Sequence, residues 1–519
     1  MKKIFLSLSL ACALMTLAGC EKDLEQNPLS NGSVPDFYKT AADFDQAMSS
    51  VYSSLRAYPD REVVLSELRS DNMFAVSSIG SRDWDPINNF SAALLVINPY
   101  VADAWASDYS TIFRANTMLE QLAQNGAATG SLRTRYEGET KFIRAFMYLD
   151  LVRKFGKVPV IDKPLIPQEV ALIKRGEVAQ VYALIEADLR TAIANLPAAY
   201  TGSGVGATLG VGRVTSGAAK ALLALVYLTK SGPTYGINGP GLASNEYDKA
   251  NVLLDEIINR TGTPISASYS LQSTYANIFS PTNENNSEVI FDLQYISNGT
   301  GTLGSSFMNV VAPDGYYTSL ALPFSAGSVE IKPTSNDLNT VSYSATDLRR
   351  AVNIQQGYTN AGTTDTRPFF KKYINVAAKG TSRTDWATNF IVMRYADVLM
   401  MKAECEVRNV GGSPATAAAR LTPLRTRAGL PALTTIDLPG LMEERRREFA
   451  GENLRWNDLM RSGLALTTMN AWILREDPPT GNPPTYKITR PLTADLLLYP
   501  VPQVELSSAP GLYDQNPGY

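Results

Sequence analysis

Residues 137–159, EGETKFIRAFMYLDLVRKFGKVP, decide the architecture of this chain. Phe142, Ala145, Phe146, Leu149 and Val152 recur at three- and four-residue spacing, which makes one helical face apolar, and the run stops at Gly156, a suitable C-terminal cap. A helix with a wide apolar stripe needs a partner. The next such pattern, about Val178–Leu196 before Pro197, supplies one in antiparallel sense.

The same pairing recurs on both sides. Thr40 suits the cap of a helix in which Phe44, Ala47, Met48, Val51 and Leu55 share a face, and Trp105, Tyr109, Ile112, Asn116 and Leu119 repeat the spacing. Arg213 to Lys230 is alanine-rich, as where helices pack closely, with Tyr247 to Arg260 as its partner. Phe390 to Arg408 and Ala415 to Ala428 form a further pair. These patterns predict a mainly α fold, a tetratricopeptide-like helical-hairpin scaffold without a strict repeat length. Residues 70–100, 230–245 and 261–385 differ, being rich in Gly, Ser, Asn, Thr, Tyr and Pro with short β patterns such as Val289–Leu293. Long insertions of this kind in a compact domain usually carry function.

The N-terminus sets the address. Lys2 and Lys3, an apolar stretch from Ile4 to Ala18 and the tetrapeptide Leu17-Ala18-Gly19-Cys20 have the layout of a secretory signal, too short and wrongly flanked for a membrane span. Bacterial lipoprotein signals look like this, with the Cys20 thiol taking a diacylglycerol and cleavage falling before it. The chain thus divides into a signal peptide (1–19), a lipidated polar tether (20–35) and a single domain (36–519). Two or more acyl chains hold a soluble domain on a membrane stably, so the protein is expected to be anchored and not spanning.

Composition narrows the function classes. Removing Lys2 and Lys3 with the signal takes the formal charge from −3 to −5, without any basic block, which argues against nucleic acid as a partner. The chain has no histidine, so Ser-His-Asp, Cys-His and HExxH chemistry are all excluded. A carboxylate pair is the catalytic option left open, but no pair stands out. After maturation the cysteines are Cys20 and Cys405, and Cys405 is expected to be a small buried hydrophobe on a helix. Asp314 and Asn283–Asn286 offer oxygen ligands without EF-hand spacing, and no metal or cofactor is expected.

Taken together, these segments resemble the SusD/RagB family, outer-membrane lipoproteins of Bacteroidota that capture nutrients for a TonB-dependent transporter. Residues 139–159 look like the family's aromatic-rich helix with its Phe-Gly-x-Val-Pro end, and Gly212-Arg213-Val214-Thr215 is similar to a second signature. Further likenesses are Arg394–Leu399 running to Ala403-Glu404, Arg425–Leu430, Glu444–Phe449, Arg455–Leu459 and the terminal Gln515–Tyr519. Cys405 stands where a small residue such as alanine is more usual. Glu21, Asp23 and Glu25 resemble the family's signal for export to the cell surface. The resemblance implies a surface-exposed lipoprotein that binds oligosaccharide and delivers it to a SusC-like TonB-dependent transporter. Alternatives are an oligopeptide receptor of the same family (RagB-like) and, from another class, a carboxylate-dependent glycoside hydrolase.

The charged motif residues have a plainer reading than catalysis. Glu444 and Glu448 stand one helical turn apart among Arg445, Arg446, Arg447 and Arg455, placed for ion pairs, with Phe449 and Trp456 in the core. Sugar binding needs flat apolar faces with hydrogen-bonding side chains beside them. Trp84 is the first candidate platform, with Arg82, Asp71 and Asn89 as polar partners. Equally, Trp84 would serve as a pin holding its loop on the core, and the residues alone leave both readings open. Tyr295, Tyr316 and Tyr317 form a second candidate group, and Trp386 is a weaker third, whereas Trp105 and Trp456 belong to the core.

Overall fold

The structure, a computed structural model, describes residues 37–75, 82–200, 210–264, 266–300, 302–322, 333–481 and 485–519. The signal, Cys20 and the tether lie outside them. With 51% helix and 8% strand, the fold is mainly α.

The longer helices are α1 (Ala41–Ser53), α2 (Pro99–Gln124), α3 (Gly130–Phe155), α4 (Val178–Asn195), α5 (Ser216–Lys230), α6 (Tyr247–Ile258), α7 (Tyr395–Val407), α8 (Pro414–Arg427), α9 (Leu438–Phe449), α10 (Arg455–Ser462) and α11 (Ala465–Glu476). From α2 to α8 each packs on the next, which is the hairpin array that the periodicity predicts. Thr40 caps α1, its hydroxyl accepting from the Asp43 N–H while the Asp43 carboxylate accepts from the Thr40 N–H. Gly156 ends α3 at φ +69°, and a Cβ there would meet the Asn238 carbonyl oxygen at 1.8 Å, so only glycine fits.

The array corrects the sequence reading of α3. A single apolar stripe is expected, yet its residues from Phe142 to Phe155 are buried all round except Lys141 before them, because α1, α2, α4 and α5 surround it. Its polar residues survive burial by pairing. Arg144 makes two bonds to Asp188 of α4 (2.7 and 2.8 Å) and one to the Asn116 side chain of α2 (2.7 Å), so one guanidinium locks three helices together. Small residues let α5 lie close to its neighbours, with Gly217, Ala218, Ala219, Ala221 and Ala224 all buried.

Strands are few and short. β1 (Val158–Pro159) pairs with β2 (Arg175–Gly176), β3 (Val289–Leu293) pairs antiparallel with β6 (Phe390–Arg394), and β4 (Ile354–Asn360) forms a hairpin with β5 (Thr363–Phe370). Phe390–Arg408 is therefore not one helix. Its first five residues, four of them apolar and two of those β-branched, pair with β3, and the helix begins only at Tyr395. Cys405 is buried on α7 as expected, and burial pushes its thiol up to about 12. Trp105 and Trp456 are core residues, as expected.

The charged motifs form a buried ion-pair network. Glu448 on α9 accepts from Arg349 (3.0 Å), Arg394 (2.8 Å) and Arg427 (2.7 Å), drawing β6, α8 and α9 together. Arg394 also pairs with Glu288 and Glu452, Arg445 with Asp397 and Asp458, and Arg461 with Glu404 and Asp458. A possible active site is thus committed to holding helices together, in line with the structural reading of these residues.

Candidate functional site

The insertion at 70–100 starts inside the core. Asp71 is 1% exposed, with Arg455 donating to both its oxygens (2.7 and 2.8 Å) and Arg446 at 3.4 Å. Asp71 is corrected as a sugar contact, since its carboxylate is already spent on two guanidinium groups. Burial alone would raise its pKa, but Arg446 and Arg455 outweigh that and hold it at about 2. The resulting stability is fully present above the ordinary aspartate range and is lost as pH falls through about 2. Asp71→Asn is expected to cost about 2 kcal/mol at pH 7. The difference in urea midpoint from wild type should shrink as pH drops from about 4 toward 2; a gap that stays constant with pH would refute the assignment.

Beyond Asp71, one buried amide shapes the turn. Asn88 donates to the carbonyls of Leu68 (2.8 Å) and Met73 (3.3 Å) and accepts from the Ala75 N–H (2.9 Å), fastening both ends of the turn. Trp84, just before the short helix Asp85–Asn88, is half-buried and donates its indole N–H to the Ala75 carbonyl (3.2 Å). It is therefore pinned, and part of its surface stays open, so the two sequence readings are compatible. Arg82 is exposed at the mouth of the turn, its backbone N–H held by Asp85 (3.0 Å). Asn89 is half-buried, its side-chain oxygen accepting from the Ser91 N–H (3.1 Å).

Residues 333–335 join this turn to the second candidate region. The Phe74 N–H donates to the Pro333 carbonyl (3.1 Å), Met73 and Thr334 form an antiparallel bridge, and the Thr334 N–H donates to Pro368 of β5 (2.9 Å). Next to Pro368, the Phe369 ring lies 4.9 Å from Tyr316, which also contacts Tyr358 of β4 at 6.2 Å. A continuous run of contacts thus leads from Trp84 through Ala75 and Phe74 to Tyr316. Phe74, Trp84, Tyr316 and Tyr358 are all half-buried along it, a shape suited to flat faces presented on a firm base.

Two other candidates are corrected. Tyr295 is 5% exposed and donates its hydroxyl to the Arg56 carbonyl (2.6 Å); Tyr317 is fully buried and donates to the Met308 carbonyl (2.8 Å). Tyrosine rings enclosed on both faces cannot stack on a sugar. Of the adjacent pair, only Tyr316 retains open surface, because the short helix Asp314–Ser319 turns its neighbour inward against Trp386, itself buried.

Tyr486 is a further candidate, one that the sequence reading missed. It is 52% exposed beneath the Arg490 guanidinium (4.2 Å), on a segment whose Lys487 lies over the Phe74 ring at 5.9 Å and whose Thr489 N–H donates to the Asn89 carbonyl (3.0 Å). The available signal was the cluster of Pro478, Pro479, Pro483 and Pro484 shortly before it, a sequence pattern that breaks regular elements.

These features define a class first: residues 24–228 match a family described as starch-binding associating with outer membrane. Residues 238–519, more than half of the chain, match the SusD family, and the chain belongs to that family. A SusD-like protein of Formosa agariphila is 27% identical over 523 residues, covering 91% of this chain and 92% of the relative. A laminarin-binding SusD-like protein of known structure is 25% identical with a TM-score of 0.70, covering 93% of this chain and 100% of its own. Surface glycan-binding protein A from Bacteroides uniformis, also 25% identical, superposes with a TM-score of 0.72 over 92% of this chain and 99% of its own. Among the described residues no helix is long and apolar enough to cross a membrane.

Proposed function

We propose that this protein is a surface-exposed outer-membrane lipoprotein that binds an oligosaccharide without altering it and passes it to a partner SusC-like TonB-dependent transporter. The observation that carries the ligand class is the run of contacts linking Trp84 to Tyr316, along which several aromatic rings stay partly open, with Arg82 and Asn89 at one end. An extended ligand of repeating rings matches several flat faces in a row better than a compact solute does. The laminarin-binding relative and the starch-binding description support a glycan.

Anchored by lipid at Cys20, a binding domain beside its transporter gains effective concentration, so modest affinity suffices. A glycan-array screen of the mature protein, followed by titration of the best hit, tests the reading. Trp84→Ala is expected to weaken binding at least tenfold, about 1.4 kcal/mol, while the glycan is recovered intact. Unchanged affinity in that variant would remove Trp84 from the surface. Turnover of the glycan would favour the hydrolase alternative, and binding to peptides alone would favour the oligopeptide receptor.

A further inference from the structure

A cavity of about 250 Å³ opens between α1, the segment 211–213 and the end of β3, sharing no lining residue with the Trp84–Tyr316 run, and its charges do not cancel. Arg213 lines it and pairs with Asp45 (3.1 Å) and Glu139 (2.9 Å), the same two carboxylates that Arg135 meets at 4.0 and 3.0 Å, so these four charges balance. Arg56, on the opposite wall, makes no ion pair among the described residues. One of its guanidinium nitrogens donates to the Gly304 carbonyl (3.2 Å), while its Nε is buried without a hydrogen-bond partner.

The floor adds a carboxyl of unusual kind. Asp292 is buried and makes no ion pair among the described residues, its oxygens accepting from the amides of Gln294 (2.6 Å) and Asn389 (3.3 Å). Burial, helped by nearby Glu284, pushes it up to about 7 against those two hydrogen bonds. Both arginines rest on aromatic rings, Arg56 at 5.8 Å from Tyr295 and Arg213 at 5.1 Å from Tyr52, which fixes the planes of their guanidinium groups. Exposed Val211 and Leu303 form apolar lips at the mouth.

We propose that this cavity is a second binding site, for a small sugar acid: the carboxylate of the ligand pairs with Arg56 and its hydroxyls meet Gln294 and Asp292 on the floor. The volume lies just below the ~300 Å³ at which clefts for drug-sized ligands begin, so it suits one ring and not a chain. A guanidinium without an ion-pair partner among the described residues is matched by a planar carboxylate, whereas a neutral hexose would leave the charge uncompensated.

D-galacturonate, with D-galactose as its neutral counterpart, tests this on the mature protein by calorimetric titration or ligand-observed NMR. Galacturonate is expected to bind at least tenfold more tightly than galactose, and Arg56→Met to lose that preference. Val211→Glu changes only an exposed lip and should weaken galacturonate at least fivefold by repulsion, with the thermal transition unchanged, so the test stands even if Arg56→Met fails to fold. Equal binding of the two sugars, or a Val211→Glu protein that binds galacturonate as wild type does, would overturn the proposal. Either outcome leaves the glycan reading of the Trp84 surface standing, because that is measured with a neutral oligosaccharide.

Discussion

Replacing Glu448 by glutamine is expected to destabilise the protein by about 3–5 kcal/mol, the largest effect of any single side chain considered. Glutamine keeps the shape and one acceptor oxygen but removes the charge on which Arg349, Arg394 and Arg427 converge, leaving three buried guanidinium groups short of a counter-ion. Burial by itself would raise the Glu448 pKa, yet the three arginines outweigh it and hold the carboxylate well below its usual range. Its contribution is therefore complete above the ordinary glutamate range and disappears only in strong acid, below the range where exposed carboxylates titrate. Thermal unfolding at pH 7 should show a much lower midpoint for Glu448→Gln, and the two proteins should converge as the pH is lowered. A midpoint within a degree or two of wild type would mean that the cluster is decoration on a core held by apolar packing.

Replacing Cys20 by alanine should have an equally large effect of a different kind. Each buried methylene of an acyl chain contributes about 0.8 kcal/mol, so removing the proposed attachment point at Cys20 is expected to convert stable membrane retention into free release. Fractionation of cells carrying Cys20→Ala should find the protein out of the membrane fraction, metabolic labelling with palmitate should fail, and growth on the ligand glycan should stop. The purified protein should fold and bind glycan as wild type does. Membrane retention in the variant would show that something other than the lipid holds it there.

The scaffold was largely legible in the chain because its signals are local. Helical periodicity in 142–152, the cap at Thr40 and the glycine after Phe155 act within a turn or two, and each forms where expected. What misled was distance. Asp71 and Trp84 look alike as polar and aromatic members of one loop, but Arg455, far along the chain, draws Asp71 inward. Tyr295 and Tyr317 are concealed by carbonyls of Arg56 and Met308, which composition does not place. Phe390–Arg394 reads as helix until its partner Val289–Leu293 is in position. The same long-range pairing brings Tyr486 beside the loop that carries Trp84, a placement that the prolines before it do not specify.

Residues 333–335 and the Asp71 ion pairs together act as fixed posts. Asp71 ties the base of its turn to the core, and Ser335, whose hydroxyl donates to the Asp71 carbonyl (2.6 Å) and whose N–H donates to that of Asn72 (2.8 Å), ties the two insertions to each other at the same point. Everything that differs between one ligand and another can then lie beyond the posts, in lengths of chain whose ends are already anchored. Exchanging residues 75–87 for the equivalent stretch of a relative should alter what is captured and leave the body unaltered, which makes the scaffold a natural host for grafted specificities.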